Sequence, residues 1–399
     1  MCGIAGLFDM TRGQPAGALE HSVRLMTDTL THRGPDGSGV FADEAGGIAL
    51  GHRRLAILDL SDAGAQPMAS ADGRFVASFN GEIYNFADIA RELPGFGTSR
   101  RGHSDTEVLV EACARFGVEA FARRAVGMFA FALWDRRERV LTLVRDRLGI
   151  KPLYWARVGR MILFGSEIKA ILAHPAFRPE LDRDALAAYL RLGYVPAPHS
   201  IYRNLSKLRP GHILRVGLDG NVREDKFWDL RAIAGRGADA DMDAAEAVDL
   251  LEERLTDAVR LRMIADVPLG AFLSGGIDSS TVVALMQKIA SGPVKTFTIG
   301  FGEADFNEAD HARAVARHLG TEHTELTVTP EDARAVIPQL PGMYDEPFAD
   351  ASAIPTFLLS QLTRRHVTVA LSGDGGDENF GGYRRYRLHL MEERLRGLL

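Results

Sequence analysis

The chain has 399 residues, 46% of them hydrophobic and 25% charged, with a formal net charge of −6; that is too long for one compact core and fits two domains of ordinary soluble composition. Charges of both signs are interspersed, which argues against a nucleic-acid groove or an anionic membrane surface, and the longest apolar stretch, residues 127–134, falls far short of the roughly 20 residues that cross a bilayer. Two cysteines, Cys2 and Cys113, leave no disulfide framework or cysteine-rich zinc site and fit a cytoplasmic protein. In chain order, residues 1–8 are apolar, but Asp9 ends the run and no basic segment precedes it, so a signal peptide is not expected there. Helical spacing follows at 22–30, then strands are predicted over 48–52 and 75–79. A helix is predicted over 106–116, where Leu109, Ala112, Cys113 and Phe116 share a face; Cys113 reads there as a buried small hydrophobe. Strands over 128–134, 140–144 and 161–164 complete a pattern of antiparallel sheets with helices outside them. Residues 233–243 are small, polar and aperiodic, the best linker in the chain. Beyond them a helix over 244–264 precedes a strict alternation: strand 269–273, helix 279–290, strand 295–299, helix 309–319 and strand 367–371. That alternation predicts a parallel sheet with crossover helices.

A cysteine directly after the initiator methionine has a chemical use. Removal of Met1 leaves Cys2 with a thiol and a free α-amine of pKa about 8, which can take the thiol proton directly or through water. No histidine is then required. Taken alone, Cys2 reads rather as a residue of a frayed terminus, and Asn80-Gly81 after a strand rather as a hairpin turn.

Five strings change that balance. Cys2-Gly-Ile-Ala-Gly6, His32-Arg-Gly-Pro-Asp-Gly37, His52-Arg-Arg-Leu-Ala-Ile-Leu-Asp59, Asn80-Gly-Glu-Ile-Tyr-Asn85 and Ser104-Asp105 occur in this order. Together they closely resemble the glutaminase domain of class II, amino-terminal-nucleophile glutamine amidotransferases. The resemblance implies that Cys2 attacks the glutamine amide and forms a thioester. It implies an oxyanion hole from the Asn80 side chain and the Gly81 N–H, donors fixed before charge develops. Arg54 would pair with the substrate α-carboxylate, with Leu58 beside it, and Glu82 and Asp105 would receive the α-ammonium and amide groups. His32 and His52 match no zinc spacing and read as structural.

The second string is Phe272-Leu-Ser-Gly-Gly-Ile-Asp278-Ser-Ser280, after an apolar strand and at the start of a helix. Backbone N–H groups at such a junction, with the helix dipole behind them, suit a phosphate. It is not a Walker A loop, because no Gly-Lys-Ser/Thr follows. With Leu371-Ser-Gly-Asp374-Gly-Gly-Asp377-Glu-Asn-Phe-Gly-Gly-Tyr383, it resembles the pyrophosphate loop and synthetase domain of asparagine synthetases. The resemblance implies an ATP site formed by Leu273, Ser274, Gly275, Gly276, Asp278, Ser279, Ile299, Ser372 and Gly373. Asp278 and Asp377 would hold Mg2+, and Asp374 falls where the family carries an acidic residue needed for acyl-adenylate formation. Ammonia would pass between the two sites inside the protein.

Two departures stand out. Relatives continue well past the position of Leu399, so the synthetase domain is expected to be incomplete at its C-terminus. The expected acceptor region reads Tyr344-Asp-Glu-Pro-Phe-Ala-Asp350, where some asparagine synthetases carry an arginine that binds aspartate. The expected fold class is α/β: an αββα amidotransferase domain over 1–230, then a Rossmann-like ATP-pyrophosphatase domain over 240–399. The expected function is a glutamine-hydrolysing asparagine synthetase. A related amidotransferase acting on a uronic acid of surface polysaccharide, and an inactive glutamine- or nucleotide-binding module, are the alternatives. Expected partners are glutamine, ATP and aspartate or another carboxylate, with no nucleic acid or membrane, and a homodimer is the assembly considered.

Overall fold

The structure, a computed structural model, describes residues 1–235, 242–302 and 308–397. The middle of the expected linker, 236–241, lies outside the described residues. The chain forms two compact units: Met1–Ala240 with Leu340–Asp350, and Asp241–Gln339 with Ala351–Leu399. A single boundary near residue 240 would leave 340–350 with the second unit, yet that segment packs into the first.

The first unit contains two six-stranded antiparallel sheets. Its strands are β1 (Gly3–Asp9), β2 (Gly37–Asp43), β3 (Ile48–Arg54), β4 (Met68–Ala69), β5 (Phe75–Ile83), β6 (Gly127–Asp135), β7 (Val140–Arg145), β8 (Tyr154–Val158), β9 (Met161–Gly165), β10 (Leu205–Lys207), β11 (His212–Val216) and β12 (Val222–Lys226). One sheet runs β10-β8-β9-β1-β3-β2 and the other β12-β11-β7-β6-β5-β4. Side-chain alternation along the strands builds three apolar layers. Ile4, Phe8 and Leu50 of the first sheet meet Val76, Trp134, Leu143 and Leu214 of the second. Ala5, Leu7 and Ala49 point the other way, onto Leu19, Val23 and Met26 of helix Ala16–Asp28. The outer face of the second sheet, with Phe79 and Phe131, packs on Val108, Leu109 and Cys113 of helix Asp105–Phe116. This is the αββα sandwich expected. Because β1 is covered on both faces, every one of its residues is buried, which is why its sequence is a continuous apolar run rather than an alternation.

The second unit carries a parallel sheet of four strands: β13 (Leu269–Phe272), β14 (Lys295–Phe301), β15 (Glu322–Val328) and β16 (Val369–Leu371). Its order is β15-β14-β13-β16. The chain steps outward from β13 to β15, then returns to add β16 on the other side of β13. Helix Ile277–Ile289 crosses from β13 to β14, and helix Ala309–Leu319 precedes β15. Ala271, Leu273, Val283, Met286, Ala312 and Leu371 form its core. No helix among the described residues is long and apolar enough to cross a membrane.

Candidate active site

The first candidate site lies where β1 begins. Register pairs Gly3 of β1 with Arg53 of β3, so Cys2 arrives beside the residues that leave β3. The Cys2 sulfur accepts the Leu55 N–H at 3.4 Å and its thiol faces the Leu55 carbonyl at 3.6 Å. These are its only hydrogen-bond partners among the described residues, and neither His32 nor His52 is one of them. The loop after β3 is held by Asp36, which accepts the Ala56 N–H at 2.9 Å. Burial pushes the Cys2 thiol above its ordinary value; the Leu55 N–H and the terminal amine act against this, while Glu82 and Asp105 add to it. A thiol that stays protonated needs a neighbouring base before it can attack.

Asn80 and Gly81 do not form a turn. Both lie inside β5, paired with Ala130 and Phe129 of β6. A Cβ on Gly81 would stand 2.2 Å from the Met128 carbonyl oxygen, so the strands approach too closely there for any other residue. Asn80 is buried, and neither its amide nitrogen nor its amide oxygen has a hydrogen-bond partner. Buried amides are nearly always paired within the protein, so this pair is available to a ligand.

Glu82 follows on the same strand. Burial and then the Asp105 charge hold its carboxyl well above the ordinary carboxylate range. Asp105 is the first residue of helix Asp105–Phe116, capped by Ser104, whose hydroxyl accepts the Glu107 N–H at 3.3 Å. Burial raises the Asp105 carboxyl to about 6, against the opposing hydrogen bond from the Ile83 N–H, which measures 2.8 Å. Two buried carboxyls raised in this way would be relieved by a cation placed beside them. Arg54, at the end of β3, donates to the carbonyls of Ser61, at 2.9 Å, and Asp59. Five N–H donors leave it capacity for a carboxylate. Leu58 is half-buried in the same loop. His52 is buried and bonds the Phe79 carbonyl oxygen at 3.0 Å; burial lowers it to about 4, so it is neutral at physiological pH. His32 contacts Glu167 at 3.1 Å.

Several residues around the first site had no role in the sequence reading. Arg33 lies within the quoted His-Arg-Gly-Pro string and donates to the Cys2 carbonyl at 2.9 Å and to Glu167 at 2.7 Å. Burial disfavours the Glu167 charge, yet Arg33 and Lys169 hold its carboxyl below the ordinary value. Lys169 continues the chain of pairs, 2.9 Å from Glu167 and 3.2 Å from Asp345. Lys207 pairs in the same way with Glu346. Segment 340–350 is thus tied by ion pairs to the unit that holds Cys2. Lys151 lies on the turn after β7. The turn wraps Asp146, which accepts the N–H groups of Leu148, Ile150 and Lys151 at 2.9 to 3.1 Å. In sequence it looks like an ordinary inter-strand turn.

The second candidate site lies at the carboxyl ends of β13 and β16, neighbours between which the strand order reverses. Ligands of open α/β sheets bind at such a switch point. The loop after β13 is closed by the Ser274 and Ser279 hydroxyls, 2.9 Å apart, and by the Gly276 N–H donating to Ser274 at 3.2 Å. Gly276 begins helix Ile277–Ile289 with no side-chain cap, and the Ser280 hydroxyl in its first turn is buried without a partner. Ile277 is 86% exposed there. The loop after β16 packs directly on this helix end: a Cβ on Gly373 would stand 2.7 Å from the Ser279 nitrogen, and one on Gly376 2.4 Å from the Asp278 carboxylate. Leu273 donates its N–H to Phe297 on β14, two residues before Ile299. Asp374 is exposed and bonds Ser372 at 2.9 Å. Asn379 donates to the Gly375 carbonyl at 2.6 Å, a tie across the short helix Gly376–Phe380. Among the described residues no three acidic, His or Cys side chains gather to hold a metal.

Comparison with known proteins agrees with this two-site layout. Residues 1–228 match the family described as Glutamine amidotransferase domain, and residues 250–398 match Asparagine synthase. The chain is 35% identical over 97% of its length to asparagine synthetase (glutamine-hydrolyzing) 1 of Bacillus subtilis, covering 60% of that protein. It is 36% identical over 96% of its length to a Methanocaldococcus jannaschii protein provisionally named asparagine synthetase (glutamine-hydrolyzing) 2, covering 76% of it. Asparagine synthetase (glutamine-hydrolyzing) 3 of Bacillus subtilis is 33% identical over 96% of the chain, which covers 63% of that relative. The chain therefore spans about three fifths of the length of both Bacillus relatives.

Proposed function

The chain belongs to the glutamine-hydrolysing asparagine synthetase family, and from that membership we propose that it releases ammonia from glutamine at Cys2 and delivers it to a β-aspartyl-AMP made from aspartate and ATP. The products are asparagine, glutamate, AMP and pyrophosphate. After removal of Met1, the α-amine of Cys2 takes the thiol proton as the sulfur attacks the amide carbon. Negative charge then develops on the amide oxygen, where the Asn80 amide and the Gly81 N–H receive it. The proton returns to the departing nitrogen, leaving a thioester that water hydrolyses to glutamate. Glu82 and Asp105 receive the substrate ammonium, and Arg54, with Leu58 beside it, receives the α-carboxylate. The observation that carries this reading is Asn80: a buried amide with both atoms unpartnered, on the strand that also carries Glu82.

At the second site, Ser274, Gly275, Gly276 and Ser279 form the phosphate-binding turn, with Leu273, Ile299, Ser372 and Gly373 around the nucleoside. Asp278 and Asp377 would hold Mg2+, which would neutralise pyrophosphate charge; two carboxylates suit this cation because it keeps water and phosphate oxygens as its other ligands. Asp374 acts at adenylate formation. The unpaired state of Cys2 and Cys113 supports a reducing cytoplasm.

The test is purified protein with glutamine, MgATP and aspartate, reading asparagine, glutamate and pyrophosphate. The exposed carboxylate of Asp350 favours a second acceptor class, uronic acids, over a dicarboxylate it would repel. Pyrophosphate release that requires a uronic acid and ignores aspartate would replace the first acceptor with the second.

A further inference from the structure

Lys151 is 3% exposed, a rare state for an ammonium group without a counter-charge. Among the described residues no carboxylate pairs with its Nζ, whose one hydrogen-bond partner is the Met1 thioether at 2.8 Å. A thioether is a weak acceptor, so this contact leaves the charge essentially unmet. The Asp146 turn fixes the residue, and its field acts on both Cys2 and Glu82. A buried, unpaired cation is thus aimed at the first residues of the chain.

The proposal rests on Cys2 being the nucleophile with its own amine as base. We propose that Lys151 is a positioning residue for that base: its ammonium, facing the start of β1, keeps the Cys2 α-amine in the free-base form once Met1 is gone. The need for it follows from the groups that face Cys2. Glu82 on β5 and Asp105 at the start of helix Asp105–Phe116 are the proposed substrate-ammonium receptor; both act on the Cys2 side chain, and when ionised each would hold the α-amine protonated. Arg33, from the loop after helix Ala16–Asp28, is cationic but already paired with Glu167. Asp146, in the Lys151 turn, spends its oxygens on backbone N–H groups. Lys151 is left as the cation that offsets the two carboxylates. Burial lowers its own pKa to about 8, so it is still mostly charged at pH 7, where an α-amine of ordinary pKa would be protonated. Met1 lies against it until excision frees both groups together.

The test is the pH dependence of glutamate release in the mature protein. In the unaltered protein the acid limb of kcat/KM is expected well below pH 8, the ordinary α-amine value of about 8. Lys151→Met removes the charge at similar volume and is expected to move that limb upward. Activity then falls roughly five- to tenfold at pH 7 and hardly at all at pH 9, since an amine of pKa about 8 is only about one-tenth free base at pH 7 but about nine-tenths at pH 9. Lys151→Arg restores the pH 7 activity. Its melting temperature should not fall for the Met variant, because an unpaired buried charge has been removed. An acid limb at or above pH 8 in the unaltered protein, or an unmoved limb in Lys151→Met, overturns the proposal. Absence of glutamate release in the unaltered protein overturns the nucleophile assignment beneath it instead.

Discussion

At the scale of single residues, the proposed chemistry turns on two buried side chains, Asn80 and Asp105. If the Asn80 amide meets developing oxyanion charge, Asn80→Ala lowers kcat for glutamine hydrolysis roughly 100- to 1000-fold, as removal of one such donor does elsewhere, with KM changing little. Steady-state kinetics decide it; a change confined to KM would assign Asn80 to ground-state binding. Asp105 gives a prediction with a pH sign. Its carboxyl titrates near 6 in the folded chain and at about 4 when unfolded. Between those values the folded chain holds a proton that the unfolded chain has released. Stability without glutamine therefore falls as pH rises from about 4 to about 6. Asp105→Asn should escape that loss, melting at or above the parent at pH 7, while KM for glutamine rises roughly 10- to 100-fold through loss of a charge-assisted bond. In the parent, KM should climb as pH drops below about 6, because the protonated carboxyl no longer attracts an ammonium. A KM that is flat across pH 5 to 7 would remove Asp105 from the substrate's ammonium group.

At the scale of elements, the strands that carry the site were legible where alternation met turn signals, and their ends were not. The strand predicted over 75–79 runs on to Ile83, because Asn80-Gly81 carries a turn signature that the close approach of β6 overrides. Local sequence favoured a turn; packing decided for a strand. Gly81→Ala should cost at least about 2 kcal/mol by forcing β5 from β6, read by denaturant unfolding, and an unchanged midpoint would show that the strands can part freely. Strand β1 escaped sequence reading because burial on both faces erases alternation, and β12, Val-Arg-Glu-Asp-Lys, escaped because it is polar on both. The ties to segment 340–350 were invisible as well, since Lys169 and Asp345 lie far apart in sequence and charges carry no periodicity. Lys169→Ala leaves Glu167 and Asp345 without their shared cation. Hydrogen exchange across 340–350 should quicken and stability drop by about 1–3 kcal/mol; unchanged exchange would mean that Lys207 alone suffices.

At the scale of the whole chain, the two halves announce themselves by different means. The parallel sheet follows from strict alternation of strand and helix, and its switch point brings together two strings nearly a hundred residues apart, Ser274–Ser280 and Ser372–Asp377. Spacing alone could not show that Gly373 and Gly376 are glycine because the helix end at Asp278 and Ser279 lies against them. Asp278→Ala should abolish pyrophosphate release and leave glutamate release within about threefold. The claim on which everything else depends is that a thiol at the mature N-terminus attacks glutamine. Its most direct measurement is covalent trapping: incubate the protein with a glutamine analogue bearing a diazoketone in place of the amide, then map the adduct by intact mass and peptide sequencing. One label per chain, on Cys2, in molecules that have lost Met1, is the expected result. Label on Cys113, or full glutaminase activity in chains that retain Met1, would contradict it.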